Sequence, residues 1–188
     1  MNPSVLEAFL TKDNIDEHLS HFRTQRLKYS ILEKSIPEIK GKTVREIYRM
    51  RLKQEIKSEV LPCINSIVCH KIYFSSFCKN PAPCARIREF YISDDSFLYE
   101  ILELGRRYDC GFILVGYGTH DKPYMTVYQD FSDYIPEGVV LALDLCEHAY
   151  FLDYRFEKER YLKAALARLD RGKLAEKKIW ENYLDSFV

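Results

Sequence analysis

Apolar residues in the first part of the chain recur at steps of three and four positions, the spacing that places them on one face of a helix. The first such stretch covers residues 5–36, and Pro37 ends it because proline cannot continue a helix. A second stretch begins at Thr43, where Glu46 three residues later completes a capping-box signature, and it continues toward residue 56. The pattern therefore predicts two helices in this region.

Proline residues also mark predicted boundaries in the next segment. Pro62 predicts an end or a kink in the second helix, and the stretch Ile64–Phe77 is a third helical segment. The run Lys79–Cys84 contains two prolines and an asparagine and is the clearest linker in the chain. This linker divides an all-helical N-terminal half from the segments that follow.

The C-terminal half mixes helical and extended patterns. Residues 87–107 again have helical spacing, and the tail over residues 153–187 has helical composition with a break at Gly172. Residues 118–123 are a plausible hairpin loop. Three short runs rich in β-branched and aromatic residues are the predicted strands: Phe112–Tyr117, Tyr124–Gln129 and Val139–Leu143.

Composition narrows the class of protein. The 188 residues are 47% hydrophobic and include only 7 Gly and 7 Pro, which is typical of a globular chain with its own core. The 28 Lys and Arg balance the 28 Asp and Glu, so net charge gives no reason to expect nucleic acid or an anionic membrane as a partner. Because no long apolar run and no leader-like start are present, we expect a soluble, cytoplasmic protein.

The cysteines are numerous for such a protein. Without a secretory leader they are expected to be reduced thiols rather than a disulfide framework. None of them forms a CxxC pair, so a zinc ribbon is not favoured. The six are Cys63, Cys69, Cys78, Cys84, Cys110 and Cys146.

Histidines and one aspartate are the candidate metal ligands. Asp144 and His148 are four residues apart at the end of a predicted strand, where a carboxylate and an imidazole can reach one point. Neutral imidazoles with a carboxylate suit Zn, Fe or Mn. The two histidines His18 and His120 are expected at the surface.

The segment Asp144–Tyr150 resembles the D-x-W-E-H-A-Y signature of the iron/manganese superoxide dismutases, with Cys146 at the tryptophan position. A helical H-x3-H-x3-Y motif of that family is matched in spacing by His21, Gln25 and Tyr29, with glutamine at the middle position. The family's second histidine lies among aromatic residues, as His70 does here.

This resemblance implies a site and a reaction. It implies that His21, His70, Asp144 and His148 hold one Fe or Mn ion that converts superoxide to dioxygen and hydrogen peroxide. Gln129 resembles the glutamine that hydrogen-bonds the metal-bound solvent in manganese-type members and favours Mn. Tyr29 would stand at the mouth of the substrate funnel.

The resemblance also implies the fold and the oligomer. It implies an α+β protein in which an N-terminal helical hairpin domain, residues 1–80, packs on a C-terminal α/β domain, residues 85–188, with a three-stranded antiparallel sheet. Glu147 would contact the ligand histidine of a second copy, so a homodimer through Glu147 and His148 is expected.

Four departures from the family pattern leave other readings open. Phe112 and Cys146 stand at tryptophan positions of the family, and Gln25 and Phe151 stand at the two positions that a family hydrogen bond joins across the dimer. One alternative is a divergent, non-catalytic metal-binding or interaction protein with the same fold. A further alternative is a thiol-based redox protein that uses Cys69 and Cys146. The choice among Fe, Mn and Zn is open.

Overall fold

A computed structural model describes residues 3–89, 91–176 and 179–185 of the chain. Over these residues the helices are α1 Pro3–Leu6, α2 Lys12–Ser35, α3 Val44–Arg49, α4 Gln54–Ser75, α5 Asp94–Arg107, α6 Phe151–Tyr154, α7 Lys158–Leu166 and α8 Ile179–Leu184. The strands are β1 Phe112–Tyr117, β2 Pro123–Tyr128 and β3 Val139–Asp144. Short 3-10 turns include Ala85–Glu89, Glu147–Ala149 and Arg171–Ala175.

The stretch predicted as one helix over residues 5–36 forms two helices, α1 and α2. Phe9 and Leu10 close a turn on Leu6, and α2 begins only after Thr11, whose side chain accepts a hydrogen bond from the backbone N–H of Asn14. This is an N-cap, and it fixes the start of the long helix that carries part of the site. At the other end α2 stops at Ser35, just before the residue that precedes Pro37.

The capping box at Thr43 and Glu46 is present as predicted, but α3 is short and ends at Arg49. The chain then starts the 22-residue helix α4, which contains Pro62 in its interior. Of the two alternatives predicted at Pro62, an end of the helix is wrong, because the apolar face of the helix continues on both sides of the proline; a kink stays a prediction. Most of that face is buried, from Val60 to Phe74.

The three strands form one antiparallel sheet in the order β2-β1-β3. Tyr117 pairs with Pro123 at the end of the β1–β2 hairpin, so the predicted hairpin loop is confirmed. The register between β1 and β3 shifts at Val115 and Gly116. All six residues of β3 are buried, which places its last residue, Asp144, in the interior.

The helical half and the sheet share one hydrophobic core, with α4 packed against both α2 and β3. Ser76, at the end of α4, accepts a hydrogen bond on its hydroxyl from the backbone N–H of Ala142 at 2.9 Å. The predicted α+β class and three-stranded antiparallel sheet are confirmed. The division into domains at residues 80 and 85 stays a prediction.

The remaining predicted helices are shorter than expected. The stretch from residue 87 is a 3-10 turn followed by α5, which begins after the capping residue Ser93. The tail contains α7, a 3-10 turn at Gly172 and α8, while residues 186–188 lie outside the described part. Of the helices that the structure describes, none has the length and apolar character needed to cross a membrane.

Candidate metal centre

Four buried or half-buried side chains meet between the helices and the sheet. They are His18 on α2, His70 on α4, Asp144 at the end of β3 and His148 in the following 3-10 turn. Each offers one ligand atom, and these atoms all lie within 4.8 Å of one another. Two long helices and the end of a strand thus bring together residues that are far apart in the sequence.

Three imidazole nitrogens lie around a single carboxylate oxygen of Asp144. Asp144 Oδ2 lies 3.0 Å from His148 Nε2, 3.1 Å from His18 Nε2 and 3.7 Å from His70 Nε2. An ion that holds ligands at about 2.1 Å with angles of about 90–120° brings neighbouring ligand atoms to about 3.0–3.6 Å. The spacings from Asp144 Oδ2 to His148 and His18 fall in the range for ligands of one transition-metal ion, and the spacing to His70 lies just outside it.

His70 provides a specific test of that fit. Its Nδ1 lies 2.7 Å from the carbonyl oxygen of Ser66, and because a carbonyl only accepts, Nδ1 must donate. The neutral ring therefore carries its lone pair on Nε2, which is buried and makes no hydrogen bond within the described residues. A buried nitrogen lone pair that lies beside a carboxylate and has no hydrogen-bond partner is the feature expected of a metal-binding imidazole.

The carboxylate is held by a second contact. Asp144 Oδ1 accepts a hydrogen bond from the backbone N–H of Cys146 at 2.9 Å. Burial works to raise the pKa of Asp144, but hydrogen bonds from His148 and His18 outweigh it and hold the pKa below its ordinary value. The group is therefore an anion at neutral pH.

The imidazoles have the complementary protonation state. Burial lowers the pKa of His70 to about 3 and also lowers that of His18, although Asp144 opposes the effect at His18. His148 is more exposed; burial lowers its pKa, but the hydrogen bond to Asp144 and the negative charges of Asp144 and Glu17 together outweigh burial and raise the pKa. His18 and His70 are thus neutral at pH 7, and coordination of a metal by His18 Nε2 would release the proton that this atom donates to Asp144.

The structure brings together three of the four sequence-derived ligands, His70, Asp144 and His148, but not His21. His18, which we expected at the surface, occupies the fourth place and is 0% exposed. His21 lies beside the cluster, its ring stacked on that of His148 with centroids 4.0 Å apart. Burial, followed by the effect of His148, lowers the pKa of His21 to about 4.

A sequence signal for His18 was available. Apolar residues lie three positions before it, Ile15, and four positions after it, Phe22, so it belongs to the buried stripe of α2. The neighbours of His21 at four positions on either side are Glu17 and Gln25, which are polar. Helical periodicity therefore favours His18 over His21 as the inward-facing residue.

The other proposed site residues are not among the four clustered ligands. Tyr29 is buried, its hydroxyl has no partner within the described residues, and burial raises its pKa to about 12. Gln129 is exposed and donates to the carbonyl of Cys110 at 3.0 Å. Glu147 is exposed next to His148. His120 is exposed, as expected.

A cavity of about 460 Å³ opens beside the cluster. His70 and His148 form part of its wall, and Lys28 and Gln25 lie on another part. Aromatic and small side chains complete the wall, among them Phe112, Phe131, Cys63, Cys110 and Cys146. The cavity gives small molecules a route to the ligand atoms.

Two of the wall residues are joined. Cys110 and Cys146 form a disulfide across 36 residues of sequence, so the expectation that all six cysteines are reduced is wrong. The sequence could not show this pair because the two residues meet only when β1 and β3 align. Cys63, Cys69, Cys78 and Cys84 are free.

The fold and the cluster together define a class: an α+β protein with three imidazoles and one carboxylate arranged to hold a single transition-metal ion. The family model of the iron/manganese superoxide dismutases, C-terminal domain, matches residues 85–177. Through this domain the chain belongs to the iron/manganese superoxide dismutase family. A comparison with curated proteins finds no match.

The matched region contains Asp144 and His148, whereas His18 and His70 lie before it. The structure is therefore what connects the two halves of the candidate ligand set. Family membership implies a metal cofactor, and the geometry supplies a group of four residues that could hold it.

Proposed function

We propose that the chain holds one Fe or Mn ion with His18, His70, Asp144 and His148 and converts superoxide to dioxygen and hydrogen peroxide. The observation that carries this proposal is the convergence of four ligand atoms within 4.8 Å, with a buried, unpaired nitrogen on His70. An ion in this place supplies the alternation between divalent and trivalent states that superoxide disproportionation requires.

The protein's own groups prepare the site for that chemistry. The Asp144 carboxylate contributes a negative charge that favours the higher oxidation state, and the Ser66 carbonyl orients His70 through Nδ1. His148 borders the cavity and is partly exposed, so a small anion can approach from that side. Lys28 on the cavity wall adds a positive charge that attracts superoxide.

The first test separates the two neighbouring histidines of α2. We expect His18→Ala to lose nearly all bound metal, because it removes one of four ligands. We expect His21→Ala to keep the metal, because its ring stacks on those of His148 and His70 but is not among the four ligand groups. Metal content by plasma mass spectrometry, measured on protein loaded with iron or manganese, distinguishes these outcomes.

Superoxide consumption is then measured on the same loaded samples. Dismutation by the wild type that disappears in His18→Ala supports the proposal. Retention of metal in His18→Ala, with loss in His21→Ala, would contradict the ligand set derived from the structure. The assay uses both the iron-loaded and the manganese-loaded protein. Gln129 does not decide between the two metals, because its side-chain amide donates a hydrogen bond to the carbonyl of Cys110.

A second candidate function is metal binding without turnover, and a specific observation favours it. With His18 as the first ligand, the family's H-x3-H-x3-Y spacing falls on Phe22 and Arg26. Neither residue replaces the imidazole or the phenol of that motif in a proton-delivering network. Bound metal without superoxide consumption would support this candidate over the first.

The thiol alternative, based on Cys69 and Cys146, has less support. Cys69 is fully buried, and burial raises its pKa well above the ordinary value, which disfavours the reactive thiolate. Cys146 is paired with Cys110 instead.

We further propose a homodimer through Glu147 and His148. Glu147 is exposed, His148 is 22% exposed in its side chain, and the exposed apolar residues Leu152 and Phe156 follow shortly afterwards. A charged group beside apolar surface of this kind suits an interface between copies. The cytoplasmic location stays a prediction.

The dimer is tested by light scattering coupled to size-exclusion chromatography. We expect twice the chain mass for the wild type and a shift toward the monomer mass in Glu147→Ala. The matched control is Glu38→Ala, which removes another exposed carboxylate, located beyond the C-terminal end of α2. A wild-type protein that elutes with the mass of one chain at all concentrations would refute this proposal.

A further inference from the structure

The Cys110–Cys146 disulfide is part of the support of the metal centre. Cys146 lies between Asp144 and His148 in the chain, two residues from each. Its partner Cys110 precedes β1, so the bond attaches the ligand-bearing loop to the segment before the central strand. A covalent constraint on this loop is therefore a constraint on two of the four candidate ligands.

Hydrogen bonds extend the constraint to the carboxylate. The N–H of Cys146 donates to Asp144 Oδ1 at 2.9 Å, and the N–H of Gly111 donates to the Cys146 sulfur at 3.1 Å. The N–H of Leu145 donates to the carbonyl of Gly111 at 2.9 Å. A displacement of Cys146 would thus also disturb the orientation of Asp144.

Solvent and small oxidants have access to the pair. Cys110 is exposed, and both cysteines border the same cavity as His70 and His148. A small molecule that reaches the cluster through this cavity also meets the two sulfur atoms. The disulfide is therefore placed where its formation and reduction can respond to the chemistry of the cavity.

We propose that Cys110 and Cys146 form a reversible redox modification site, oxidised by hydrogen peroxide and reduced by a dithiol, and that the disulfide slows the loss of metal. In the oxidation, one sulfur attacks a peroxide oxygen, the O–O bond breaks, and water leaves to give a sulfenic acid. The second sulfur then displaces that oxygen as water, forming the disulfide.

Reduction proceeds by thiol–disulfide exchange, with a dithiol as the electron donor. One sulfur of the dithiol attacks the disulfide to form a mixed disulfide, and its second sulfur releases the protein thiol and leaves as a cyclic disulfide. Overall, two protein thiols and one peroxide give one disulfide and two waters. The inference rests on the metal site of the proposed function, but it does not require dismutation.

The experiment compares metal release from the reduced and the peroxide-treated forms of the manganese-loaded protein. Peptide mapping by mass spectrometry establishes whether residues 110 and 146 are linked in each sample. We expect the reduced form to transfer manganese to an excess of chelator about tenfold faster, the low end of the effect of losing an outer-shell contact to a ligand.

Two variants make the comparison specific. Cys110→Ser changes an exposed residue and should release metal at the reduced-form rate with or without peroxide. Cys63→Ser removes a free cysteine on the same cavity wall and should keep the redox dependence of the wild type. Equal release rates for the oxidised and reduced wild type, or peroxide oxidation that leaves residues 110 and 146 unlinked, would overturn the inference.

Hydrogen exchange shows whether the redox inference fails or the proposed function fails. If the protein binds no metal, the proposed function is wrong, but exchange at residues 144–148 still reports on the loop. We expect faster exchange there after reduction in the wild type and no further change in Cys110→Ser. Unchanged exchange in the wild type would overturn the inference independently of metal.

Discussion

At the scale of single residues, the decisive fact is which imidazole of α2 turns inward. His18 and His21 are three positions apart, and the helix rotates by about 100° per residue, so they lie on adjacent but different faces. His18 meets the carboxylate of Asp144, whereas His21 stacks on His148. One residue offers a ligand atom, and the other borders the cavity.

The free energy of unfolding of the metal-free protein should fall as the pH is lowered from about 6.5 to about 3, because buried His70 is protonated less readily in the folded protein than in the unfolded chain. The pKa of His70 is lowered to about 3 in the folded protein, below the ordinary value of 6.5. A group with a lowered folded pKa binds protons more readily in the unfolded chain, so its stabilisation is complete above pH 6.5 and declines toward pH 3.

We therefore expect His70→Gln to reduce the slope of unfolding free energy against pH between about pH 6 and 4 by about 1 kcal/mol per pH unit. Urea unfolding in the presence of chelator, repeated at several pH values, measures this slope. His120→Gln, in an exposed loop, is the control and should leave the slope unchanged. Equal slopes for the wild type and His70→Gln would contradict the assigned cause.

The His18 and His21 comparison also shows what residue-level reasoning can reach. The Asp144 and His148 pair was identified from a local motif, because both residues lie within one strand end and turn. The choice on α2 depends on which face of the helix is buried, and the family spacing pointed to His21, which lies beside the cluster. Apolar neighbours on both sides of His18 contain the information, but only if burial is weighed before motif spacing.

At the scale of elements, the sheet depends on a close approach of two backbones. Gly138, just before β3, has φ of +75°, and a Cβ there would lie 2.0 Å from the carbonyl oxygen of Tyr117. The N–H of Tyr117 also donates to the carbonyl of Gly138 at 3.0 Å. This contact lies at the end of β1, next to the shift in register at Gly116.

We expect Gly138→Ala to destabilise the protein by about 3 kcal/mol or more, because the left-handed backbone and the clash with a carbonyl both oppose a side chain. Gly41→Ala is the matched control: its φ is +69°, but apart from its chain neighbours no atom in the described part of the chain lies within 4 Å of the added Cβ. It should lose only about 1–2 kcal/mol. Denaturant unfolding of both variants measures the difference, and equal losses would show that the clash is relieved.

The element boundaries show where local patterns suffice. The capping box at Thr43 and the β1–β2 hairpin were predicted because each depends on residues within a few positions. The N-cap at Thr11 was missed, since the helical pattern appeared continuous through it. Pro62 was expected to end or kink a helix, yet α4 continues through it because burial against α2 and the sheet outweighs the local penalty.

At the scale of the whole molecule, the candidate metal centre joins the two halves of the chain. His18 and His70 come from the helical half, and Asp144 and His148 come from the half that matches the family model. A bound ion would therefore contribute to the stability of the entire fold, since the ligand set does not exist in the unfolded chain.

We expect manganese at about 100 times its dissociation constant to stabilise the wild type by about 2.7 kcal/mol, and the excess of chelator to abolish the gain. His18→Ala should not respond to manganese, whereas His21→Ala should respond as the wild type does. Urea unfolding with and without the ion measures this effect. A response of similar size in His18→Ala would place the ion elsewhere.

The sequence by itself determined the features that depend on near neighbours: the helical and extended segments, the hairpin, and the carboxylate and imidazole that share one strand end. Only the tertiary structure decided that His18 joins them and that Cys110 reaches Cys146. The reason is physical: periodicity describes the face of an element, but packing between distant elements determines what that face meets.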